Sequence, residues 1–63
     1  MEHEYLTTRE LAKRWRMREG TLHGWRRTGR GPAHVRIGDR VLYRADVVRA
    51  YEETNTSTNG ADR

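Results

Sequence analysis

Arginine is the residue type through which this chain can do chemistry: of its thirteen basic side chains, twelve are arginine. A guanidinium is always charged. Its paired N–H donors match the two acceptors of a guanine edge or two phosphate oxygens, which a lysine ammonium cannot do. Eleven of the thirteen fall between Arg9 and Arg44, against three acids, Glu10, Glu19 and Asp39; outside that window two bases face six acids. With a net charge of +4 and a pI near 10.3, the basic charge is therefore concentrated in the middle of the chain. That is the electrostatic pattern of a nucleic-acid-binding surface. A solvated basic face is the alternative that composition alone leaves open, and an arginine-rich coding bias gives the same excess.

Other chemistries lack their residues. There is no cysteine, so neither a disulfide nor a thiolate-ligated metal can staple the fold. His3, His23 and His34 do not have metal-ligand spacing. No Ser/His/Asp-like set, phosphate loop or pair of carboxylates suited to a cleft is present, and 63 residues barely enclose a pocket. The reading is a non-enzyme with no cofactor, no metal and no small-molecule ligand. No apolar run is long enough to span a membrane, and the start lacks a basic stretch followed by an apolar one. A cytoplasmic protein without membrane contact is expected.

The elements that must position these arginines follow from local signals. Thr7 and Glu10 form a capping box, which starts a helix at about Thr8. Leu11, Ala12 and Trp15 make its apolar face, and it ends near Arg16. A second helix starts at about Arg18 or Glu19 with a poor cap. It carries an apolar stripe of only Leu22 and Trp25 and contains Gly20 and Gly24, each costing about 1 kcal/mol relative to alanine. Two glycines let the backbone lie close to a partner strand, or they are tolerated on a surface. Thr28-Gly29 stops this helix, and Gly31-Pro32 prevents its continuation.

Val35 to Arg44 alternate around Gly38-Asp39-Arg40, which predicts a β-hairpin. Its inner face is read as Val35, Ile37, Val41 and Tyr43, with Arg36 and Arg44 outside and Arg40 at the tip. A third helix begins at Ala45-Asp46 and turns Val47, Val48 and Tyr51 inward. Tyr5 and Leu6 belong to a lead-in that covers one end of the core. Most of the large side chains, Tyr5, Trp15, Trp25, Tyr43 and Tyr51, are expected to pack together; both tryptophans are placed in the core rather than on a base-stacking surface. Residues 1–54 form one domain and 55–63, almost without apolar side chains, a disordered tail.

Three segments, T-L-x-x-W-R at Thr21 to Arg26, G-x-G-P at Gly29 to Pro32 and I-G-x-R-V-x-Y-R at Ile37 to Arg44, resemble the excisionase-like branch of the MerR-type winged helix-turn-helix proteins. The resemblance runs from Leu6 to about Tyr51. It departs at the turn, where the family usually carries Gly-Val-Ser and this chain has Arg16, Met17 and Arg18. The resemblance implies a mainly α fold of three helices and a two-stranded wing.

It also implies double-stranded DNA as partner, with the second helix in the major groove and the wing on a minor groove or backbone. On that basis Arg18, Glu19, Gly20 and His23 reach base edges. Thr7, Thr8, Arg26, Arg27, Arg30, Arg36 and Arg44 hold phosphates, and Arg40 enters a minor groove. The function implied is that of an excisionase, whose copies bind adjacent sites, bend DNA and direct an integrase toward excision. A small transcriptional regulator of the same fold is the nearest alternative. A protein-interaction module or antitoxin is a more distant one. Without a long C-terminal dimerisation helix, a monomer is expected off DNA.

Overall fold

The computed structural model describes residues 4–56. In chain order they form β1 (Tyr5–Thr7), α1 (Thr8–Trp15), α2 (Glu19–Thr28), β2 (Val35–Ile37), β3 (Arg40–Arg44) and α3 (Ala45–Asn55). The three helices and the β2–β3 wing are as expected, and β1 is an addition. Instead of a free lead-in, Tyr5–Thr7 pairs antiparallel with β3, with Leu6 opposite Tyr43, so the sheet has three strands in the order β1-β3-β2. The Ala45 N–H closes that corner by donating to the Glu4 carbonyl at 2.9 Å. α3 runs through Asn55, with Thr56 as its cap; residues 57–63 of the expected tail lie outside the described residues.

Thr7 ends a strand and starts a helix at once. Its hydroxyl accepts from the Glu10 N–H at 3.0 Å, and its own N–H donates to Glu10 Oε1 at 2.9 Å. Each bond satisfies a backbone or side-chain group that the first helical turn would otherwise leave unpaired.

Both helices of the α1–α2 pair end in the same way, with a residue in the left-handed region and a following N–H that reaches back over the last turn. After α1 that residue is Arg16, at φ 57°, and Met17 N–H donates to the Ala12 carbonyl at 2.8 Å. After α2 it is Gly29, at φ 74°, and Arg30 N–H donates to the Trp25 carbonyl at 2.7 Å. Arg18 begins α2 with extended backbone and no side-chain cap bond, as its type requires.

The core is small. Leu11, Ala12, Leu22, Tyr43 and Val48 are buried together, and Leu6, Trp15, Met17, Trp25 and Val41 pack against them from the rim. α1, α2, α3 and β3 thus each contribute at least one fully sequestered side chain, each worth about 1.5–3 kcal/mol for the larger aliphatics. A second contact ties α1 to α3. Glu52 accepts from Arg14 Nε at 2.7 Å, Arg14 Nη2 at 2.9 Å and the Trp15 indole N–H at 2.5 Å, while Trp15 lies against Tyr51 with ring centroids 5.6 Å apart.

The inner face of the hairpin differs from expectation. Ile37 pairs with Arg40 and Val35 with Leu42, because the loop has two residues, Gly38-Asp39, rather than three. Cross-strand partners share a face, and changing a loop by one residue turns one strand over relative to the other. Val35 and Ile37 therefore join Leu42 and Arg44 on the outer face, while Val41 and Tyr43 face the core. Exposure agrees with that register: Ile37 is 53% exposed and Tyr43 1%. Arg36, expected outside, is instead the partner of Val41 at an exposed edge. Of the five large aromatics, Tyr43, Trp15 and Trp25 join the core cluster and Tyr51 reaches it only through Trp15, while Tyr5, opposite Arg44 on the outer face, is 43% exposed. Val47, expected to point inward with Val48, instead lines a shallow open cavity with Ala33, His34, Val35 and Arg44.

Candidate nucleic-acid interface

α2 is anchored along one side and open along the other. Leu22, at 1% exposure, enters the core and Trp25 packs on its rim. At 3.6 residues per turn the opposite side is the stripe Gly20, His23, Gly24 and Arg27. Gly20, His23 and Arg27 are exposed and Gly24 is half-buried. Added Cβ atoms at Gly20 and Gly24 would meet nothing within 4 Å, so no neighbour within the described residues demands a glycine at either place. Gly31 contrasts with both. It sits at φ 82°, and a Cβ there would come within 2.6 Å of the Trp25 ring. That glycine is required by the packing that holds α2 in place.

Arg18, Glu19 and Gly20 all lie exposed at the start of α2, with His23 one turn on. Glu19 stands in the first turn, where an acid suits the positive end of the helix dipole. Thr21, in the same turn and also exposed, enters the sequence reading only as the first residue of the T-L-x-x-W-R segment and not among the base-reading residues. Arg27 and Arg30 flank the far end of α2, and Arg36 and Arg40 stand on the wing, all four exposed.

Four of the residues expected at a phosphate are engaged by other groups of the domain, Arg26 and Thr8 within it and Thr7 and Arg44 at its surface. Arg26 is half-buried, and its Nη1 donates to the Tyr43 hydroxyl at 2.8 Å and to Thr8 Oγ1 at 3.2 Å. Its Nη2 contacts His23 Nδ1. Thr8 is itself buried, and Thr7 is engaged in the capping box. Arg44 forms a two-pronged ion pair with Asp46, Nε to Oδ1 at 3.1 Å and Nη2 to Oδ2 at 2.7 Å, and these hydrogen bonds raise its already high pKa further. What remains openly presented is Arg18, Glu19, Gly20, His23 and Arg27 on α2, Arg30 after it, and Arg36 and Arg40 on the wing.

A family model of a helix-turn-helix domain matches residues 5–56, from the start of β1 to the cap of α3. The chain belongs to the helix-turn-helix domain family. In this helix-turn-helix protein the pair is α1–α2, joined by Arg16-Met17-Arg18, and β2–β3 has the position of a wing. Membership implies DNA binding and DNA as the partner, a function typically without catalysis. Searches of curated proteins and of solved structures give no match. Among the described residues, no group of three or more His, Cys, Asp or Glu is placed to hold a metal, and no helix is long and apolar enough to cross a membrane.

Proposed function

We propose that this helix-turn-helix protein reads duplex DNA by sequence, laying α2 in the major groove and the β2–β3 wing on the adjacent backbone or minor groove. The observation that carries this reading is the open stripe of α2. Among the described residues nothing packs where a Cβ of its two glycines would lie, and they leave the backbone bare between exposed donors and an acceptor. In that pose Arg18 takes guanine O6 and N7 and Glu19 accepts from cytosine N4. Arg27, Arg30 and Arg36 hold phosphates, and Arg40 at the wing enters a minor groove. Arg26, held by Thr8 and Tyr43, supports the reading helix from within, Thr7 caps α1, and Arg44 pairs with Asp46 at the start of α3.

In the cytoplasm the protein acts as an excisionase, with copies side by side on DNA that bend it and bias an integrase toward excision. The resemblance of Thr21–Arg26 and Ile37–Arg44 to that branch supports this finer reading. So does the small size of the domain, since adjacent copies raise specificity through effective concentration.

A salt series with specific and random duplexes tests the reading. Affinity falls steeply as salt rises while one sequence stays preferred. Arg18→Ala relaxes base preference, at about 1–3 kcal/mol for the lost bidentate contact, whereas Arg40→Ala weakens binding to all sequences alike. Weak binding that is indifferent to sequence overturns the proposal, and equal uniform losses from both substitutions overturn the division of roles.

A further inference from the structure

The contacts of Arg26 determine what His23 can read, an inference that rests on α2 being the base-reading helix. A guanidinium carries five N–H donors and no acceptor. Its Nη2 contacts His23 Nδ1, so Nδ1 is the accepting nitrogen, and in the neutral ring the proton sits on Nε2. The guanidinium is not free to turn away. Its Nη1 is held by the Tyr43 hydroxyl and by Thr8 Oγ1, groups that are 1% and 9% exposed. Among the described residues no hydrogen bond engages His23 Nε2, and the side chain is exposed.

We propose that Arg26 is a positioning residue that locks His23 as the Nε2–H tautomer, making His23 a donor-only reader that contacts a purine through N7. Of the major-groove acceptors open to a lone donor, guanine N7 and O6, adenine N7 and thymine O4, N7 is the one both purines share; a pyrimidine puts only its C5 carbon at that place, so a donor held there selects purine over pyrimidine and does not separate the two purines. Glu19, four residues earlier on the same helix, offers carboxylate oxygens that accept. α2 thus presents opposite hydrogen-bonding polarity one turn apart, which sets the direction in which a site is read.

The tautomer is measured first, in the free full-length protein, by two-bond 1H–15N correlation at a pH where His23 is neutral. The expected pattern is protonated Nε2 and bare Nδ1, relaxing toward a mixture in Arg26→Met. Protonated Nδ1 in the wild type overturns the proposal without needing any variant to fold, and so does an unchanged pattern in a folded Arg26→Met.

The reading is measured next, by selecting duplexes from a random pool with wild type and His23→Ala. At the position where His23→Ala loses preference, the wild type accepts guanine and adenine alike. A 7-deazapurine there lowers wild-type affinity about tenfold and leaves His23→Ala unaffected. A His23-dependent pyrimidine, a strong guanine-over-adenine choice, or indifference to 7-deazapurine overturns the proposal. If the wild type selects no site at all while His23 shows the Nε2–H pattern, it is the DNA-reading assignment of α2 that falls.

Discussion

A methyl group added at Gly20 enters open space, so Gly20→Ala delivers to α2 the full propensity difference between the two residues, about 1 kcal/mol. Gly20 has no positive φ that alanine would resist. For a domain of this size the gain corresponds to a rise in melting temperature of about 4–8 °C. The same methyl stands on the stripe proposed to lie against DNA, where it holds the helix axis away from the bases and lengthens the contacts of Arg18 and His23. Losing one well-formed base contact costs about 1–3 kcal/mol, so affinity for the preferred duplex falls about tenfold or more.

The two effects have opposite signs, and that is the diagnostic. Thermal unfolding followed by circular dichroism reads the first, and titration of a labelled duplex at fixed salt reads the second. A variant that is more stable and binds as tightly as wild type refutes the close approach of the backbone. A variant that is less stable refutes the claim that no neighbour occupies the space.

Gly31→Ala goes the other way. The left-handed backbone and the 2.6 Å approach to Trp25 together cost about 2 kcal/mol or more, read as a lower denaturant midpoint. Arg16→Gly removes a side chain from a left-handed position and stabilises the fold by about 1 kcal/mol, read in the same experiment. Glu52 is held at a pKa of about 2, below its ordinary 4.5, first by its hydrogen bond from Arg14 and then by that from Trp15. Its contribution is complete above about pH 4.5 and is lost as pH falls toward 2. The melting temperature of Glu52→Gln is therefore lower than wild type at neutral pH, and the difference shrinks across that acid window. Salt also narrows it, because the Arg14–Glu52 pair is partly exposed.

The features legible in the sequence are those whose cause lies within a few residues. Thr7 and Glu10 announce the start of α1, Gly29 the end of α2, and Ala45-Asp46 the start of α3, because caps and left-handed stops are local chemistry. β1 was not legible: Tyr5-Leu6-Thr7 is too short to show a pattern and becomes a strand only by pairing with Leu42-Tyr43-Arg44. The facing of the hairpin turned on one residue, since Gly38-Asp39-Arg40 reads equally as a three-residue loop or as a two-residue loop entering a strand. At the interface, the exposed start of α2 was visible from its sequence position. The internal roles of Arg26 and Arg44 were not, because one arginine among twelve gives no sign that Thr8 and Tyr43, or Asp46, will converge on it. Gly31 stood out as part of a motif, but only the placement of the Trp25 ring gives its reason.

The pairing of β1 with β3 also orders events in time. Leu6 has no partner until Tyr43 has left the ribosome, and Tyr43 is at the same moment the largest fully buried side chain of the core. α1 and α2 can come together through local contacts, but they are short helices over an unfilled centre, and short helices alone are marginal in water. Loop closure between the first strand and the third thus falls late, and the core is complete only when Val48 of α3 has followed Tyr43 into it. Nascent chains arrested before Tyr43 emerges remain open to protease. Those released once α3 has also emerged, with Val48 for the core and Glu52 for Arg14 and Trp15, become resistant throughout, with no half-folded helix pair between.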